Sequence, residues 1–190
     1  MITDLKYYVQ HQKGFLPETF CDKILDELKS VKFEKNTFYN ARTKKHAPRS
    51  GNQELLMSWQ GTPSKNELTG KLWHAIDKYI KTIKMPWFNG WQGYTAVRFN
   101  KYKKNKKMAL HCDHIRLFEN QYSNLEGVPI LSVVGTLNDD YKGGEFILFD
   151  DYEIKFGKGD VLVFPSSFLY PHKVKPVKRG TRYSYVSWVC

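Results

Sequence analysis

His111 and Asp113 stand two residues apart in the segment MALHCDH, the first place in the chain where side chains of the right type and spacing could do chemistry. The segment reads as a strand, and successive strand side chains point to opposite faces. His111 and Asp113 then share one face with Ala109, while Leu110 and Cys112 take the other, with Cys112 expected as a small core residue. An imidazole and a carboxylate side by side can fill adjacent positions around a divalent cation. A third ligand has to come from elsewhere, and the chain has six histidines in all. His11 is near the terminus, His46 in a basic loop and His74 in a helical stretch, and His114 faces away from His111 and Asp113 by parity. His172 remains, after VLVFPSSFLYP. Two histidines and one carboxylate, with one side of the metal open, form the arrangement associated with Fe(II) oxygenases. Closed four-ligand sites are structural instead.

The last segment, TRYSYVSWV, adds a second clue. Arg182, Ser184, Val186 and Trp188 share one face of this strand, and Tyr183, Tyr185 and Ser187 the other. A lone inward arginine is a costly unpaired charge. It becomes sensible where a dicarboxylate arrives, because guanidinium grips carboxylate through two parallel hydrogen bonds. Ser184 could add a hydroxyl one pleat along. A metal site with an anion fork nearby is the layout that 2-oxoglutarate requires. Lys178 and Arg179 compete for this role, but they precede Gly180 in a turn, where charge is usually solvated. Asp139 and Asp140, ahead of Gly143 and Gly144, read as turn formers. Trp188 reads equally well as plain core.

Two helices and a series of strands must position these groups. FLPETFCDKILDELKSVKF carries a helix, with Pro17 at its first turn and Phe20, Ile24 and Leu28 four apart. A second follows Thr62-Pro63-Ser64, with Leu68, Leu72, Ile76 and Ile80 in the same spacing. Between them, residues 38–53 are polar and basic, a loop or hairpin long enough to be functional. From Tyr94 the pattern changes to strands: YTAVRFNKY, MALHCDH, the buried VPILSVVGTLN, GGEFILFDDYEI, GDVLVFP and TRYSYVSWV. Helices followed by many short strands predict an α+β chain with a sandwich or barrel core. Residues 1–190 read as one domain, mainly helical over 1–90 and β over 91–190.

Composition bounds the partners. The net charge is +11 over 190 residues, partly clustered at 41–50, 100–108 and 172–182. That charge, with Tyr39, Trp59, Trp87 and Trp91, keeps nucleic acid open as a partner; the alternative is a solvated lysine-rich surface. Three widely spaced cysteines argue for a reducing compartment. No apolar run is long enough to span a bilayer, and no signal peptide is visible, so a cytoplasmic protein is expected. Nothing in the sequence sets the oligomeric state.

His111-Cys112-Asp113, then His172, then Arg182 resembles the HxD…H…R pattern of the 2-oxoglutarate/Fe(II) oxygenases, in the prolyl 4-hydroxylase-like branch. LNDDYKGGEFILF and KGDVLVFPSSFLYPHKVKPVKRGTRYSYVSWV resemble that branch's middle and closing segments, and FNKYKKNKKMALHCD its entry strand. The likeness runs over 94–190 and, loosely, over 14–35. It implies a double-stranded β-helix (jelly-roll, cupin-like) with the N-terminal helices packed on one sheet. Fe(II) would sit on His111, Asp113 and His172, with 2-oxoglutarate on Arg182. Tyr102 would line the co-substrate pocket, Trp188 would lie near the metal, and ascorbate is a candidate reductant. Thr136 stands where some relatives carry a tyrosine. The implied reaction is hydroxylation of a prolyl residue in a peptide or protein, releasing succinate and carbon dioxide, with residues 38–53 a candidate lid. Two alternatives stand beside it: the same chemistry on a nucleic acid, nucleotide or other small molecule, and a non-catalytic cupin-like binding module.

Overall fold

The computed structural model describes residues 4–40, 43, 45–47, 54–84, 90–113 and 127–190. After a short 3-10 helix, Leu5–Tyr8, the elements are β1 (Gln10–Gln12), α1 (Glu18–Glu27), β2 (Glu34–Lys35), β3 (Phe38–Asn40), β4 (Lys45–Ala47), β5 (Leu56–Ser58) and α2 (Lys65–Ile83). The strands β6 (Arg98–Tyr102), β7 (Met108–His111), β8 (Leu131–Thr136), β9 (Lys142–Gly143), β10 (Phe146–Leu148) and β11 (Tyr152–Ile154) follow. The chain closes with β12 (Val161–Pro165), β13 (His172–Val174), β14 (Val177–Arg179) and β15 (Arg182–Val189).

A seven-stranded sheet in the order β1-β12-β8-β15-β6-β5-β2 and a four-stranded sheet in the order β11-β10-β13-β7 make the body. Strand parity explains the two cores. From the large sheet, Val161, Val163, Leu131, Val133, Tyr185 and Val189 point outward against Leu16, Cys21 and Ile24 of the α1 region and Leu68, Leu72 and Ile76 of α2. The alternate residues Leu162, Phe164, Val134, Val186 and Trp188 point inward and meet Phe146, Leu148, Ile154 and Val174 of the small sheet. Strands covered on both faces lose the apolar–polar alternation, which is why all six residues of β8 are buried. Helices pack on one face and the second sheet on the other, as the expected double-stranded β-helix requires.

Several local expectations change. The first 90 residues are not only helices and loop: β1 pairs with β12, and β5 pairs with β6, so they extend the large sheet. GGEFILFDDYEI is two strands, β10 and β11, paired Phe146 to Ile154. β7 ends at His111, so Asp113 lies just past the strand. Cys112 is only half-buried and is not core. Within the basic segment, β3 and β4 pair as a hairpin. Residues 41, 42, 44 and 48–53, together with His114 and Trp87, lie outside the described residues.

Candidate metal centre

β13 runs antiparallel to β7 with His172 directly opposite His111. Pairing across the small sheet therefore brings together two histidines 61 positions apart in the chain, and their ring centres stand 4.3 Å apart. Asp113 comes in from the bend after β7. Its Oδ1 is 3.4 Å from His111 Nε2 and its Oδ2 3.8 Å from His172 Nε2. One ligand atom from each of the three lies within 4.8 Å of the others, a spacing that a single cation can bridge.

The second nitrogens settle which atoms are available. His111 Nδ1 donates to the Ala109 carbonyl at 2.8 Å, and His172 Nδ1 donates to the Tyr170 carbonyl at 3.1 Å. Both rings then present an Nε2 lone pair to the common centre, the tautomer a metal needs. His172 is also fixed by its neighbours, stacked on Phe146 at 5.4 Å and meeting Phe164 edge-on at 5.1 Å. Burial, reinforced by His111, pushes the His172 imidazole down to about 4, with Asp113 pulling the other way. It is neutral at pH 7. Burial resists ionisation of Asp113, but the two histidines and a hydrogen bond from Ser132 outweigh it and hold the carboxyl well below its usual range. Ser132 Oγ donates to Asp113 Oδ2 at 2.6 Å and sits 2.7 Å from Ser166 Oγ.

The opposite wall is the inner face of β15 and β6. Arg182, Ser184, Val186 and Trp188 all line the pocket, as their parity predicts, with Tyr102, Asn100 and Arg98 beside them. Arg182 is 1% exposed. Its Nη1 donates to Ser184 Oγ at 2.9 Å and its Nε to Tyr141 Oη at 3.2 Å, while its Cζ lies 5.1 Å over the Tyr102 ring. Its Nη2 is buried with no hydrogen-bond partner among the described residues. A guanidinium left in this state, without an acid beside it among the described residues, is the vacant half of a carboxylate fork. By contrast, Lys178 and Arg179 are exposed. Gly144 helps to shape the cradle: its φ is +70°, and a Cβ there would meet Arg182 Cδ at 3.2 Å.

Four pocket groups were not foreseen. Arg98 and Asn100 share the parity of Tyr102 on RFNKY, so the signal was present. Tyr141 and Ser132 carry none: one lies in a turn, and the other is a serine in an apolar strand. Thr136 donates to the Gly157 carbonyl at 2.7 Å and is spent there. The remaining histidines lie elsewhere: His11 contacts Asp160 at 2.8 Å, and His74 is exposed on α2. Trp59 packs on Trp188 and Trp91 on Trp73.

Fold and site together define an oxygenase-type jelly roll with a two-histidine, one-carboxylate centre, and comparison with known proteins agrees. The 2OG-Fe(II) oxygenase superfamily matches residues 97–190. The chain belongs to that superfamily, whose name carries its metal, Fe(II), and its co-substrate, 2-oxoglutarate. A PKHD-type hydroxylase of Stenotrophomonas maltophilia is 33% identical over 99 residues, covering 50% of this chain and 43% of the relative. One from Alteromonas mediterranea is 32% identical over 95 residues, covering 48% and 41%. The chain thus spans less than half the length of these curated relatives. Among solved structures, the viral collagen prolyl hydroxylase of Paramecium Bursaria Chlorella virus-1, in its 2OG complex, superposes with a TM-score of 0.67 at 17% identity, covering 96% of this chain and 94% of that one. A Trichoplax adhaerens prolyl hydroxylase, bound to a hypoxia inducible factor peptide fragment, gives 0.69 at 19%, covering 96% and 83%. These likenesses establish the fold. Among the described residues, no helix is long and apolar enough to cross a membrane.

Proposed function

We propose that this chain is a single-domain Fe(II)- and 2-oxoglutarate-dependent hydroxylase. His111, Asp113 and His172 hold the metal and Arg182 anchors the distal carboxylate of 2-oxoglutarate. One observation carries the reading: a three-ligand cluster within 4.8 Å faces a buried arginine whose Nη2 has no partner. The two halves make sense only if a chelating dicarboxylate spans them.

Bound Fe(II) and 2-oxoglutarate together supply the oxidising power that turns a C–H bond into C–OH, one oxygen of O2 entering the product and the other leaving in succinate, with release of carbon dioxide. The chain's own residues do the positioning. Asp113 supplies the anionic ligand, its carboxylate accepting a hydrogen bond from Ser132. His111 and His172 supply neutral donors fixed by backbone carbonyls. Ser184 and Tyr141 orient the Arg182 fork, and the faces of Tyr102 and Trp188 close the walls against water.

The likeness to prolyl hydroxylases supports a prolyl residue of a peptide or protein as the substrate; ascorbate is the candidate reductant and the basic segment 38–53 the candidate cover for the bound chain. The test is succinate formation by iron-loaded protein with 2-oxoglutarate and a library of proline-containing peptides, with the +16 Da product located by fragmentation. Hydroxylation at proline supports the reading. Succinate release with product mass only on nucleotides or nucleic acid moves the substrate class, and no 2-oxoglutarate turnover under any condition removes the enzyme.

A further inference from the structure

Arg98 is a cation that the metal and co-substrate do not account for. It stands on β6 directly opposite Val186 of β15, so it faces the same interior as Arg182, Ser184 and Trp188. Its Nε donates to Asn100 Oδ1 at 3.2 Å, and its Cζ lies 5.0 Å over the Trp188 ring. It forms no ion pair among the described residues. A guanidinium held at one edge by an amide and on its face by an indole keeps its terminal nitrogens for something else.

Position separates it from the Arg182 fork. Arg182 is opposite Tyr102, and Arg98 lies four residues further along β6, about 13 Å at the rise of a strand. Trp188, over which Arg98 lies, is opposite Ser132, which hydrogen-bonds Asp113. Arg98 therefore belongs to the metal end of the pocket, where a substrate has to present its C–H bond.

Charge makes the same point. Apart from the ligand histidines, neutral as metal binding requires, the charged side chains lining the pocket among the described residues are Arg98, Arg182 and Asp113. Fe(II) with the two arginines outweighs Asp113 by three charges, and the dianion 2-oxoglutarate removes two. One positive charge stays uncompensated beside the half-buried Arg98, where partial loss of water favours a partner for the charge.

We propose that Arg98 is the receptor for a carboxylate carried by the substrate, so that the pocket selects a molecule or peptide residue with an acidic group close to the C–H bond to be hydroxylated. This rests on the hydroxylase reading above. A single carboxylate matches the one remaining charge and the two-pronged edge of the guanidinium. A phosphodiester backbone, which repeats its charge at every nucleotide, matches a single residual charge less well.

The test uses the full chain loaded with Mn(II) in place of iron and saturated with 2-oxoglutarate. The paramagnetic ion's effect on the relaxation of 13C-labelled acetate reports an anion near the metal. Saturable enhancement is expected with acetate and not with acetamide. Arg98→Met should weaken acetate binding roughly ten- to hundredfold, the scale of charge-assisted hydrogen bonds, and Arg98→Lys should restore part of it. Mn(II) and 2-oxoglutarate affinities of the variants should stay within about threefold of the parent, well inside one decade of binding energy. Four results overturn the proposal: no acetate effect in the parent protein, equal effects of acetate and acetamide, a preference for dimethyl phosphate, or a 2-oxoglutarate affinity that falls in parallel with Arg98→Met. The last would assign Arg98 to the co-substrate. Failure of the parent protein to bind Mn(II) or 2-oxoglutarate at all is a separate result, which overturns the hydroxylase reading and this subsite with it. The acetate–acetamide comparison needs no variant, so poor folding of Arg98→Met leaves the proposal open to refutation.

Discussion

Replacing Arg182 by methionine should change the stability of the free and the co-substrate-bound protein in different ways. In the free protein the side chain is 1% exposed, with its Nη2 unpartnered. A buried cation in that state is unfavourable, and an apolar side chain of similar length is often neutral or stabilising in its place. The free variant should therefore melt at the parent temperature or above it. In the bound protein the same change removes one partner of a desolvated charge pair, at a cost of about 2–5 kcal/mol. That is roughly thirtyfold in affinity at the low end and several thousandfold at the high end. At a 2-oxoglutarate concentration one hundred times the parent Kd, ligand binding stabilises by about 2.7 kcal/mol. For a chain of this size that raises Tm by about 5–11 °C. A thirtyfold loss of affinity leaves about 0.9 kcal/mol at the same concentration, or about 2–3 °C. Thermal melts of the Mn(II)-loaded parent and Arg182→Met, with and without 2-oxoglutarate, read all four quantities. A variant that keeps the full ligand-induced rise refutes the anchor. A free variant that melts more than about 10 °C lower shows instead that the arginine is needed to hold the fold, a loss beyond the usual cost of a single substitution.

Three further perturbations test other parts of the reasoning. Ser132→Ala removes the 2.6 Å hydrogen bond to Asp113 Oδ2 and should weaken metal binding about 10–100-fold, measured by chelator competition. The metal-free protein should lose stability as pH falls. His172 is held at about 4 in the fold, against about 6.5 unfolded, so the unfolded chain binds more protons between these values. Stability present above about pH 6.5 is then lost towards pH 4, by up to about 3 kcal/mol. Urea titrations at pH 7 and 4.5 should show this slope in the parent and a flatter one in His172→Gln. Gly135→Ala should destabilise by about 1–3 kcal/mol or more, because the added Cβ runs directly into the Tyr185 ring opposite. Chemical denaturation gives the value, and an unchanged midpoint would show that the ring has room to move.

Strand parity made the β15 wall legible before any coordinates. Arg182, Ser184, Val186 and Trp188 do line one pocket, because parity survives wherever a strand is long and regular, and β15 runs from Arg182 to Val189. It was less secure at His111 and Asp113. β7 stops at His111, so Asp113 reaches the centre by a bend rather than by the pleat. What sequence spacing could not supply was the pairing of His172 with His111, which depends on the register between two strands far apart in the chain. Pattern and family resemblance, not periodicity, pointed to that partnership. The N-terminal strands were hidden for a different reason. β1 is the polar tripeptide QHQ, only one residue of which is buried, so it carries no apolar alternation to detect. Tyr141 was hidden because a turn has no face: only the folded path of Lys142–Gly143 and its pairing with β14 bring the phenol hydroxyl to Arg182.

The same residues that form the site oppose the stability of the empty fold. Burial disfavours the charged form of Arg98, and Arg182 has a nitrogen without a partner among the described residues. Apolar packing from two cores has to carry these groups: the outer one with both helices and the inner one between the sheets. The inner core is also the pocket's frame, since Phe146 and Phe164 hold the His172 ring on one side while Val134 and Val186 floor the cavity. Groups held in this way need little reorganisation when a cation and a dicarboxylate arrive, so the binding energy of both returns as stability. Ligand-dependent stabilisation should therefore be cooperative. With Arg182 and the metal drawing on one dianion, metal and 2-oxoglutarate together should raise Tm by more than the sum of their separate effects, and strictly additive shifts would mean that the two halves of the pocket do not share a ligand.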